Sequence, residues 1–329
     1  MTRQRRVGLF VALTTAAVAV IGAYLAITLL GASKEDPTIA AAAKAPAMEI
    51  VKGDMVLLDR DRQHPKAWGR MVVVGPDGRR HIGRLTCERV AFAAGSGICM
   101  AQAHALPAPT YEARFFDAHQ NVTGKVSVPG TPSRARVSPD GRYAASTTFV
   151  GGDSYTNPGQ FSTRTRVYDV KGGKSLGDLE DYKVTLDGQV IDKQDFNFWG
   201  VTFTGVGAQF YATLGTGDHH YLLHGDALAR TATVVRDGVE CPSLSPDGTR
   251  LAFKARVGQP FQWRFHVLDL ASGKETALEE TRSVDDQIAW LDDRRLAYGV
   301  DEEVMEVPAD GSRGPRRLMV GATNPNSVQ

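Results

Sequence analysis

Val239 to Lys254 reads VECPSLSPDGTRLAFK. The spacing predicts two short strands, Ser243–Ser245 and Arg250–Lys254, joined by the turn Ser-Pro-Asp-Gly. Proline presets φ at the second position of a tight turn, and glycine accepts φ > 0 at its end. Leu244, Leu251 and Phe253 supply apolar filling. The stretch decides the fold because it recurs. Val137–Ser146 is VSPDGRYAAS, and Ile288–Gly299 is IAWLDDRRLAYG, with Asp-Asp at the turn. Val90–Met100 (VAFAAGSGICM) and Val201–Thr213 (VTFTGVGAQFYAT) place Gly-Ser-Gly and Gly-Val-Gly there. Copies spaced by roughly 40 to 65 residues fall in the range of propeller blades.

A second hairpin alternates with the first. Val167–Lys174 is VYDVKGGK, and Val267–Lys274 is VLDLASGK. Looser copies occupy Met71–Gly78, Ala113–Asn121, Tyr221–Asp226 and Val304–Gly311, each followed by a further strand. With strands a, b, c and d in one unit, the chain holds six c–d hairpins and five a–b hairpins. The first unit has a strand b at Asp54–Arg60 and no strand a before it. A closed ring whose last strand comes from the other terminus has this imbalance, and closure leaves only short protected edges. The expected fold is all-β, a six-bladed β-propeller of four-stranded blades over residues 49–329. The ring closes through the tail Val320–Gln329, or else through Ala47–Val51. The third unit carries an insertion around Leu186–Gln189.

Glycine is abundant, 34 of 329 residues, as many tight turns require, and 42% hydrophobic content excludes global disorder. Setting aside Arg3, Arg5 and Arg6 leaves 35 basic against 37 acidic residues, so nothing in the charge favours nucleic acid as a partner. Those arginines form a basic tail, residues 1–6. Val7–Leu30 follows, 24 residues without a charge, long enough as a helix to cross a bilayer of about 30 Å. The basic flank predicts a single-pass signal anchor at the cell membrane, with the bulk of the chain outside the cytoplasm. The alternative is a signal peptide cleaved on secretion. Residues 31–48, rich in Ala, Pro and Lys, read as a linker.

The Ser-Pro-Asp-Gly hairpins, with Asp140 and Gly141 in one and Asp247 and Gly248 in the other, resemble TolB-like, PD-type propeller repeats. FSTRT at Phe161–Thr165, NFWGVTF at Asn197–Phe203 and VECPSLSPDG at Val239–Gly248 are similar to the membrane-anchored actinobacterial members of that group. The resemblance covers about residues 50–320 and implies the propeller. TolB proper carries an additional N-terminal domain where this chain has its anchor, so the resemblance does not bring the TolB role with it.

Three cysteines, Cys87, Cys99 and Cys241, allow one intramolecular disulfide. Cys87 and Cys99 lie on the arms of one hairpin. A turn centred on Ser96 sets them out of register, while a longer loop brings them together. The alternative is three buried thiols. No Gly-x-Ser-x-Gly elbow occurs, and Gly172–Ser175 lacks the earlier glycine of a phosphate loop. Asp218-His219-His220 reads as a solvated hairpin tip. No catalytic residue, cofactor or metal is assigned.

The most site-like stretch is the long b–c loop of the third unit, Gly151–Arg166, with Asp153, Tyr155, Asn157, Phe161 and Arg164; Phe198 and Trp199 follow in the next unit. Loops on a rigid scaffold carry function, and aromatic and arginine side chains anchor interfaces. The functional expectation is a membrane-tethered scaffold for an envelope protein, peptide or cell-envelope ligand. The alternative is a lyase- or glycosidase-type enzyme with its site at the channel mouth.

Overall fold

The computed structural model describes residues 4, 12–23, 48–106, 108–151, 162–258 and 262–329. The chain divides into Met1–Ala45 and Pro46–Gln329. In the first unit residues 12–23 are helical, about 18 Å of helix. Among the described residues no helix is long and apolar enough to cross a membrane. The remainder of the expected anchor, residues 7–11 and 24–30, lies outside the described residues, as do residues 31–47 of the linker.

The second unit begins with β1 (Met55–Asp59), β2 (Arg70–Val74) and β3 (Arg80–Thr86). Then come β4 (Arg89–Ala93), β5 (Ser96–His104), β6 (Thr110–Asp117) and β7 (Val122–Val128), followed by β8 (Thr131–Val137), β9 (Tyr143–Val150), β10 (Ser162–Asp169) and β11 (Lys174–Asp178). The insertion gives β12 (Lys183–Leu186) and β13 (Gln189–Ile191). The fourth blade is β14 (Asn197–Phe203), β15 (Gln209–Thr216), β16 (His219–Asp226) and β17 (Thr231–Arg236). The fifth is β18 (Glu240–Leu244), β19 (Arg250–Arg256), β20 (Trp263–Asp269) and β21 (Glu275–Ala277). The sixth is β22 (Ala289–Asp292), β23 (Arg295–Val300), β24 (Glu303–Pro308) and β25 (Arg316–Val320), and β26 (Ala322–Ser327) is last.

These strands form six sheets, and β26 pairs with β1 to complete the first blade. The tail therefore closes the ring. Two asparagines seal the closure. Asn324 exchanges hydrogen bonds with the backbone of Val90, at 3.0 and 3.1 Å, and Asn326 accepts the Phe92 N–H at 3.0 Å. The insertion is a hairpin turning at Asp187 and Gly188, both at positive φ. Its β12 lies parallel to β17, so the third unit's insertion widens the fourth blade to six strands.

Alternation along each strand explains the ring. Val56 and Leu58 face one neighbouring blade and Leu57 faces the other. The core is accordingly spread over six apolar clusters, one at each interface between adjacent blades.

The Ser-Pro-Asp-Gly turns are alike in detail. Gly141 and Gly248 sit at φ +70°, and each donates its N–H to the serine carbonyl, at 2.8 and 2.9 Å. In the second turn Ser245 Oγ donates to Asp247 at 2.5 Å and accepts the Arg250 N–H at 2.9 Å, while Asp247 also accepts the Thr249 N–H. Ser138 and Asp140 repeat this arrangement. The Gly-Ser-Gly expectation needs correction. The turn is Ala94–Gly95, both at positive φ, and Ala93 pairs with Ser96. Gly97 is inside β5, where a Cβ would lie 2.2 Å from the Phe116 ring. Cys87, on the approach to β4, and Cys99, in β5, are joined by a disulfide with Cα atoms 5.4 Å apart. Cys241 is a buried free thiol.

Candidate functional site

Six inner strands, β26, β4, β8, β14, β18 and β22, surround the axis. The channel between them is bridged midway. Gln287, just before β22, donates to the Ala135 carbonyl at 2.8 Å and accepts the Ala135 N–H at 3.3 Å. These residues belong to opposite blades, the sixth and the third. The bridge separates two wells. Residues early in the inner strands (Arg134, Trp199, Glu240) line one, and residues late in them (Arg136, Thr202, Ser243) line the other.

The first well, about 250 Å³, is framed by Trp199, Trp263 and Phe149 and by five charged groups. Lys254, almost fully buried, donates to Asp285 at 2.5 Å, and Arg134 donates to the same oxygen at 2.8 Å. The Lys254 ammonium also lies 4.4 Å from the Trp263 ring centroid, a cation–π contact. Glu240 accepts from Arg256 at 2.7 Å and from the Trp263 indole at 3.1 Å. His220 touches Trp199 edge-on and sits 2.8 Å from Arg256. Burial works against the Asp285 charge, but Lys254 and Arg134 outweigh it and hold its carboxyl below the ordinary range. Burial, helped by Arg256, pushes His220 down against the pull of Glu240. Both carboxylates of this well are thus occupied by cations.

The second well, about 290 Å³, has the Ser-Pro-Asp-Gly turns at its rim. Its wall is hydroxyl and amide groups with Phe92, Phe203, Leu244 and Trp290.

Of the residues singled out in the sequence, Asp153, Tyr155, Asn157 and Phe161 lie outside the described residues. The described ends of their loop flank the first well, through Phe149 and Thr163. Arg164 faces a separate cleft with Glu180, Phe196 and Asn197. The expectation for Phe198 is corrected. It is 1% exposed and packs between the third and fourth blades; a register shift after Trp199 then brings Val201 and Phe203 onto the same side. Trp199, on the opposite face, reaches the well. His219 and His220 start β16 past a Gly217–Asp218 turn. His219 pairs with Asp237 at 2.6 Å, and only His220 approaches the well. Lys254, Glu240, Asp285 and Trp263 are absent from the sequence reading. The signal for the first two is available: Glu240 and Lys254 end the two arms of the quoted hairpin and pair directly across it.

No family model and no curated protein matches the sequence. Among solved structures the chain is similar to TolB from Acinetobacter baumannii, at 16% identity and a TM-score of 0.58, over 84% of this chain and 67% of that one. It is also similar to a chain of a nidogen/laminin complex, at 12% identity and a TM-score of 0.54, over 83% of this chain and 97% of that one. Identities this low speak to architecture. In fold the chain is a TolB-like six-bladed β-propeller.

Proposed function

We propose that this propeller is a binding scaffold, held outside the cytoplasm by its N-terminal apolar segment, that takes a protein or peptide partner at the Trp199–Trp263 well. The observation that carries the reading is the state of that well: aromatic walls, with Asp285 engaged by the buried cations Lys254 and Arg134 and Glu240 by Arg256. Aromatic side chains beside fixed charges supply contact area and register at an interface. A glycosidase or lyase at this mouth needs a carboxylate free to move a proton. Glu240 and Asp285 each hold two donors instead. Placement outside the cytoplasm is supported by the basic tail ahead of the uncharged run 7–30 and by a disulfide of the kind oxidising compartments preserve.

The test is site-specific photo-crosslinking in intact cells. A benzophenone amino acid replaces Trp263 in one variant and exposed Val320, on β25, in another. A discrete adduct from position 263 that is missing from position 320 is the expected result. Identical adducts from both positions, or none from 263, would sink the assignment. Protease accessibility of the propeller in osmotically opened cells, compared with intact ones, tests its side of the membrane.

A further inference from the structure

The second well contains an unanswered charge. Arg136 is the one charged side chain among the described residues that line it. The other cations of the channel have carboxylate partners. Arg89 approaches Asp286 at 3.5 Å, and Arg134 and Lys254 share Asp285. Arg136 has neutral acceptors only: its Nη2 donates to the Ile288 carbonyl at 2.9 Å and to Ser243 Oγ at 3.3 Å. Its Nε is buried and makes no hydrogen bond. Burial weakens its hold on the proton, with Asp286 nearby opposing, and leaves it at about 10, so it remains a cation at neutral pH.

A desolvated guanidinium with no carboxylate in hydrogen-bond contact is costly, and a buried donor without an acceptor adds to the cost. An anion entering the well answers the charge of the guanidinium. Arg136 is the one charged side chain of the lining, and one guanidinium matches one negative charge. A phosphate dianion would bring a second charge with no partner. The rest of the wall specifies the body of the ligand. Phe92, Phe203, Leu244 and Trp290 offer apolar surface, and about 290 Å³ lies at the small end of ligand sites.

We propose that the well beneath the Ser-Pro-Asp-Gly turns is a binding site for a small monocarboxylate with an apolar or aromatic body, its carboxylate recognised by Arg136. The site lies across the Gln287 bridge from the partner site proposed above and does not depend on that reading.

Trp290 reports on it directly. Its indole N–H donates to the Ser243 carbonyl at 2.8 Å, on the residue whose hydroxyl meets Arg136. The experiment follows the tryptophan indole resonances of the full chain by two-dimensional NMR, with Trp290 assigned through Trp290→Phe. Benzoate and N-acetylphenylalanine are titrated to 20 mM beside their neutral amides and beside inorganic phosphate. Saturable movement of the Trp290 signal by a carboxylate, and not by its amide, is expected. Arg136→Gln should weaken that binding at least tenfold, with Arg136→Lys in between. Equal response to acid and amide, stronger binding of phosphate, or no saturable shift by any probe would overturn the proposal. So would undiminished binding by a folded Arg136→Gln variant. The comparison of acid with amide uses the wild-type chain and stands even where the variant fails to fold.

Discussion

Asp247 contributes nothing to the apolar core, yet three neighbours depend on its carboxylate. It receives Ser245 Oγ, the Thr249 N–H and the Arg250 guanidinium. Partial burial opposes its charge, and these donors more than compensate, holding it well below the usual carboxylate range. Asp247→Ala should cost roughly 1–2 kcal/mol in urea unfolding, because a short turn loses its internal acceptor. A loss near zero would show that proline and glycine alone set the turn. Glu180 presents the reverse case. Burial pushes its pKa up to about 8, against the lowering effect of the Thr165 N–H, which its carboxylate accepts at 3.1 Å. A raised pKa means that this group's contribution to stability is complete below the unfolded value of about 4.5 and is lost as pH rises through 8. Glu180→Gln keeps an acceptor for Thr165 and removes the ionisation. Melting curves should show the variant gaining on the wild type between pH 5 and pH 9, by up to about 4 kcal/mol at about 1.36 kcal/mol per pH unit. Parallel pH profiles would remove Glu180 as the cause. Asp247 and its serine are readable from the repeat, because the two copies carry the same letters. Glu180 is not, because it lies on a short helical turn, Leu179–Asp181, that packs against β10 and β14 of two different blades.

Blades were legible in the sequence because apolar alternation and turn chemistry are local. The strand pairing that closes the ring was legible only as an imbalance of hairpins, since β26 and β1 lie at opposite ends of the propeller chain. Its reinforcement was not legible at all. Asn324 and Asn326 both occupy the innermost strand and bond across to β4 over 234 residues. Non-local partners of this kind leave no periodic trace. The Phe92 N–H has Asn326 as its acceptor, so Asn326→Ala leaves a buried donor unmet and should cost about 1–3 kcal/mol. Hydrogen exchange should speed selectively at Phe92 and along β26. Uniform acceleration over all six blades would instead place the asparagine in the global unfolding step. The insertion follows the same division. Its Asp-Gly turn was visible in the sequence, and its parallel docking on β17 was not.

At the scale of the whole molecule, the channel joins blades that share no strand pairing. Gln287 and Asp285, on the approach to the sixth blade, meet Ala135 and Arg134 of the third and Lys254 of the fifth. A propeller held only by contacts between neighbours could open at any one interface, whereas these bonds require opposite sides to part together. Asp285 is the sharpest place to test that. Its own side chain is 58% exposed, while Lys254 is 2% and Arg134 10% exposed. Removing one member of a fully buried pair typically costs about 3–5 kcal/mol; solvent at Asp285 should reduce the effect of Asp285→Asn to roughly 2 kcal/mol. Its lowered pKa fixes the sign with pH. The contribution of Asp285 is present above the unfolded carboxylate range and fades as pH falls through the depressed folded value. The gap between wild type and Asp285→Asn should therefore be full at pH 7 and close in acid. The form of the unfolding curve carries the larger claim. The wild type should unfold in one transition, and because the Gln287–Ala135 bridge still ties the third blade to the sixth, Asp285→Asn should lower the midpoint without splitting it. A variant that unfolds in two steps, with the third-blade amides exchanging first, would mean that these bonds supply the coupling itself. An unchanged midpoint at pH 7 would assign ring integrity to the six apolar interfaces alone and leave the charges of the channel to ligand recognition.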